Sequence, residues 1–252
     1  MRAEREMKMA ESTAANPATR SGGLALIAGV ILLVLASLLL PGGVLLDTVD
    51  QTDFVLVLEA MAENARLAHL ASMLSIIGMF LYMYAGLTWL RLPQQTELGG
   101  SVLRLGVFAS LFGWSLYVIA MGMRHFSIHL MQRGMQPGAD QAMFESLALS
   151  VYTPMAGIVI ALVGVYPLAS ILVGIGLSSR FGSTSIFKVA SYGLVLLGVL
   201  AVINFLVLQH VPAIDPAVLL TNDNAMQAFG SLCFVIIGLG MYRGRSELSS
   251  GA

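Results

Sequence analysis

Long, continuous apolar runs divide this chain, and short polar segments separate them. Six runs reach the roughly 20 residues that a helix needs to cross hydrocarbon. They cover residues 24–44, 67–89, 102–123, 147–178, 187–209 and 225–242. None alternates apolar with polar positions, which excludes barrel strands. A backbone in lipid must satisfy its polar groups within the segment, so the runs predict helices. The expected fold class is all-α, a polytopic membrane bundle of six transmembrane helices.

Composition agrees. Hydrophobic residues make up 57% of the 252 and charged residues only 11%, against about 25% charged in an ordinary soluble domain. Thirteen basic and fourteen acidic side chains cannot coat a protein of this size in water. A soluble enzyme, a nucleic-acid binder and a disordered chain are thereby excluded. The single cysteine, Cys233, excludes a disulfide framework and a thiolate metal cluster. The first run follows a basic segment (Arg2, Arg5, Lys8, Arg20), as a signal sequence would. It is longer than a signal core and ends in Pro41-Gly42-Gly43 without a small-x-small cleavage site, so it reads as a retained helix. Residues 1–22 are expected to be a disordered cytoplasmic tail, residues 23–244 the transmembrane domain, and residues 245–252 a second cytoplasmic tail.

Charge placement orients the bundle. With a cytoplasmic N-terminus, the inner segments carry Arg2, Arg5, Lys8, Arg20, Arg91, Arg104, Arg180, Lys188, Arg243 and Arg245, and the outer ones only Arg66, Arg124 and Arg133. This bias puts both termini inside. The outer connections are the longer ones, 45–66, 124–146 and 210–224. The first holds a short apolar stretch at 54–61, expected as a helix on the membrane surface. The second is broken at Pro137-Gly138. The fourth run is too long for a straight span, and Pro154 and Pro167 are expected to bend it. Its small residues (Ala156, Gly157, Ala161, Gly164, Ala169, Gly174) suit close helix packing, or alternatively a hinge or cavity lining.

Candidate chemistry is sparse. No phosphate loop, nucleophile elbow, HExxH or CxxC motif is present, so no catalytic centre is expected. No Asp, Glu or Lys lies deep in a predicted span, which argues against a proton-coupled transporter. The four histidines, His69, His125, His129 and His210, all fall toward the outer face. His125 and His129 are four apart, a spacing that suits one metal ion. Met121, Met123 and Met131 lie beside them, and thioether with imidazole favours copper. His69, His125 and His210 are candidates to hold a haem iron, for example His69 with His125 across the iron. Against this, histidine is at ease at an interface and methionine fills packing gaps. Arg66 and Arg124 read as interfacial anchors, or as contacts to an anionic head group or quinone, with Glu63 able to pair with Arg66. Asn204 is expected to bond across helices.

Glu63-Asn-Ala-Arg66-Leu67 before the second span, Leu92-Pro93 after it and Arg104-Leu105-Gly106 at the third resemble uncharacterised bacterial six-helix membrane proteins of the domain-of-unknown-function kind. The resemblance implies a multi-pass bundle in a bacterial inner membrane and no particular activity. Three functions remain open. One is an integral subunit or accessory protein that acts by helix packing with itself or other membrane subunits. Another is a redox or metal-handling protein with haem b or copper. The third is a transporter of small molecules or lipids, with a polar cavity near Asn204, Tyr117 and the bent fourth span.

Overall fold

The computed structural model describes residues 17–92, 97–211 and 213–248. They form seven α-helices: α1 Pro17–Leu39, α2 Phe54–Glu63, α3 Ala65–Trp89, α4 Glu97–Gly134, α5 Gln141–Ser178, α6 Ile186–His210 and α7 Pro216–Tyr242. All but α2 are long and apolar enough to cross a membrane. The all-α bundle and its six spans are as the apolar runs predict.

The helix ends differ from the apolar runs where polar residues are used inside a helix. The chain turns after Leu39, where Pro41 offers no N–H and Gly42 adopts φ 75°, a conformation suited to glycine. Helix α1 already includes residues 17–22, because Gly22 and Gly23 pack against Thr88 and against the backbone of Gly238 and Tyr242. Helix α4 runs eleven residues past Met123, and α5 begins at Gln141, where Asp140 caps Met143 N. The connection expected as the second outer segment is therefore only residues 135–140, turning at Gly138 with φ 80°. Helix α7 starts at Pro216 under an Asp215 cap. This places Asp223, 9% exposed, inside a span, where the apolar pattern gave no buried acid. Its carboxylate accepts from Gln227 at 2.6 Å. Helix α5 continues through both Pro154 and Pro167.

The six long helices close a ring. Each packs on its neighbour in chain order, and α1 also packs on α7. Aromatic side chains fill the ring near the end where α1 begins and α7 finishes, here called the terminal end. Tyr82 meets Trp114 and Phe234 edge-on at 5.2 and 5.5 Å, and Trp89 stacks on Phe234 at 6.1 Å. At the same end Arg180 Nε donates to the Glu247 carbonyl and Arg245 lies over Phe187. Residues 246–248 thus form a docked turn with Leu248 fully buried.

Close approach stands in for the hydrophobic drive that lipid does not supply. A Cβ on Gly106 would come within 2.7 Å of Val173 N, on Gly174 within 2.6 Å of the Ser191 carbonyl, and on Gly176 within 2.5 Å of Leu103. A second core lies at the opposite end. Asp53 caps α2 through Val55 N and Leu56 N. The helix then buries Val57, Leu58 and Met61 against α3, α4 and α5, so the surface helix read from residues 54–61 is docked onto the bundle.

Candidate functional site

The opposite end carries the histidines. His69 lies in the second turn of α3, and His125 faces it from α4. Their Nδ1 atoms are 3.0 Å apart. Their ring centroids are 4.1 Å apart at an interplanar angle of 51°, so the rings lie partly side by side. His69 Nε2 donates to Gln132 Oε1 at 3.0 Å. With that proton on Nε2, His69 Nδ1 is bare and accepts the His125 Nδ1–H. Gln132 also lines a cleft of about 350 Å³ walled by residues 62–67.

Next to His125 on α4, Arg124 is buried, at 8% exposure. Its Nε donates to Ser72 Oγ at 3.0 Å, and that hydroxyl donates to the Ala68 carbonyl at 2.8 Å. Tyr152 lies in the second core and Tyr117 packs against it. Tyr152 is held edge-on by Phe54 of α2 at 5.5 Å. Among the described residues no carboxylate pairs with Arg124, and its two Nη atoms carry no hydrogen bond to protein. Among the described residues no sealed side-chain nitrogen or oxygen lacks a partner. Each Nη atom therefore keeps a small accessible surface.

The other candidates separate. His129 is exposed one turn beyond His125, and His210 is exposed at the end of α6, a helix that packs on α5 and α7. All four histidines lie toward one end, and only His69 and His125 meet. Met121 and Met131 are buried in the second core, and Met123 packs against it. Among the described residues no group of three His, Cys, Asp or Glu side chains converges on a metal position. Nitrogens 3.0 Å apart are also too close for a haem iron between them, since trans ligands at about 2.0 Å each stand about 4 Å apart. Glu63 and Arg66 line the cleft without forming an ion pair. Asn204 Nδ2 donates to the Leu219 carbonyl at 2.9 Å, across from α6 to α7.

Sequence reasoning missed Ser72 and Gln132. Their spacing carried a signal, because Ser72 is three residues after His69 and Gln132 seven after His125, each on its histidine's helix face. It also missed a small enclosed spot of about 10 Å³ between α5, α6 and α7, where Tyr166, Ser170, Asp223 and Gln227 meet.

No protein-family model, curated protein or solved structure matches this chain. The fold by itself defines the class: a multi-pass membrane helix bundle with a polar site between two neighbouring spans at one end.

Proposed function

We propose that this chain is an integral inner-membrane accessory protein without a catalytic centre, which works through its packed ring and the helix faces it turns outward. The observation that carries this reading is the closed ring with Tyr82, Trp89, Trp114 and Phe234 filling its interior. Such a plug opposes a path through the molecule, and Asn204 is spent on a bond between helices. Large apolar side chains such as Phe80, Phe108, Phe112 and Leu196 are exposed on the ring's outside, available to lipid or to a neighbouring subunit. Purification in a mild detergent after in-cell crosslinking tests the reading. Specific co-purifying membrane subunits, or a defined homo-oligomer, are expected; a stable, clean monomer overturns it.

A second reading, metal handling, is favoured by one feature. The 3.0 Å separation of the two Nδ1 atoms also suits two ligands of one ion, and Gln132 on His69 Nε2 is the kind of outer contact that orients a ligating imidazole. The unpaired charge of Arg124 opposes it. Elemental analysis of purified protein decides: stoichiometric copper or zinc that disappears in His69→Ala supports it, and metal-free protein removes it.

A further inference from the structure

We infer that Arg124 and the histidine pair form a binding site for an anionic head group, a phosphate or carboxylate, within the membrane leaflet at the histidine end. A charged side chain inside a span is costly and is ordinarily compensated by a partner. The Arg124 partner Ser72 lies about 10 Å along α3 from the helix start, seven residues after Ala65. Arg124 is buried and has no carboxylate among the described residues. Its one side-chain bond, from Nε to Ser72 at 3.0 Å, fixes the guanidinium plane and leaves both Nη groups for a ligand.

That arrangement fits an anion by geometry as well as charge. A guanidinium presents paired N–H donors in a fork that matches two oxygens of a phosphate or carboxylate. Tyr117 and Tyr152 belong to the core at the same end, and His125 follows Arg124 directly in the chain. A transition ion on the histidine pair would add positive charge beside one already uncompensated. An anion removes the imbalance.

The surroundings favour an amphiphile. Leu70, Met73 and Phe126 adjoin His69, Ser72 and His125 in the chain and are each about half exposed, so acyl chains can lie against α3 and α4 while the head group reaches inward. The cleft at Gln132 is the route by which a free anion would arrive instead.

The test uses the full chain, delipidated in neutral detergent and returned to phosphatidylcholine nanodiscs with or without phosphatidylglycerol or oleate, and separately to inorganic phosphate. Native mass spectrometry reads the bound species. Wild type is expected to retain phosphatidylglycerol or oleate at least tenfold over phosphatidylcholine, and Arg124→Gln to lose that preference. Arg20→Gln, exposed at the terminal end, should keep it. Equal retention of inorganic phosphate, also lost in Arg124→Gln, identifies a free anion as the source. No preference in wild type, or a preference unchanged in Arg124→Gln, overturns the site. So does stoichiometric metal that His69→Ala removes. Should Arg124→Gln fail to fold, Arg124→Lys and Ser72→Ala decide: each is expected to weaken the preference severalfold, and wild-type preference in both overturns the proposal.

Discussion

The Trp89 indole Nε1 donates to the sulfur of Met241 at 3.1 Å, across 152 residues of sequence. Trp89 is 1% exposed and Met241 fully buried. Met241→Leu keeps the volume and removes the acceptor, leaving an indole N–H unsatisfied. The expected loss is about 1–3 kcal/mol, read by thermal unfolding in detergent. Trp89→Ala should cost about 3–5 kcal/mol, because the cavity adds to the lost contacts.

The glycines of α5 divide into two kinds, and substitution separates them. Gly176→Ala drives a methyl into Leu103 and should cost about 1–3 kcal/mol through overpacking. At Gly157 an added Cβ meets nothing within 4 Å. Gly157→Ala should therefore be neutral or gain up to about 1 kcal/mol from helix propensity. A destabilised Gly157→Ala would assign that position to an interface with another subunit, in line with the accessory-protein reading.

Removing the acceptor on His69 tests the proton arrangement of the pair. Gln132→Leu is expected to cost about 1 kcal/mol and to release the His69 tautomer. Nitrogen chemical shifts of the two imidazoles then report Nδ1–H on either ring instead of on His125 alone. Unchanged shifts would refute the assignment.

Orientation is open to a direct experiment, because the sequence has one cysteine. In a Cys233→Ala background, Gln136→Cys should react with an impermeant maleimide from outside intact cells. A cysteine placed at Ser246 should stay protected until the membrane is opened. The reverse pattern would invert the positive-inside assignment.

The spans were legible wherever polar residues bracket an apolar run. Helices α3 and α6 start or stop within two residues of the pattern, since Arg66 and Lys188 stand near their first turns. The pattern failed at the histidine end for a physical reason. Arg124, His125 and Gln132 lower the local hydropathy, yet they lie on α4 positions where α3 offers partners, so the helix continues. The same failure hid Asp223, which Gln227 satisfies within α7. That the histidines favour one end followed from their positions near span boundaries. That His69 meets His125 depends on how far α3 slides along α4, and packing at positions such as Gly86 against Trp114 sets that register without marking it in the sequence.

The seam between α1 and α7, where Gly23 meets the backbone of Gly238 and Tyr242, gives biosynthesis a waiting period. Helix α1 reaches the bilayer before α7, and the two meet only after the four spans between them have been made. Until then the small-residue face of α1 stands open to lipid or to other nascent segments. A chain cut short before α7 keeps that face exposed, a lasting mark by which membrane proteases can recognise an unfinished copy.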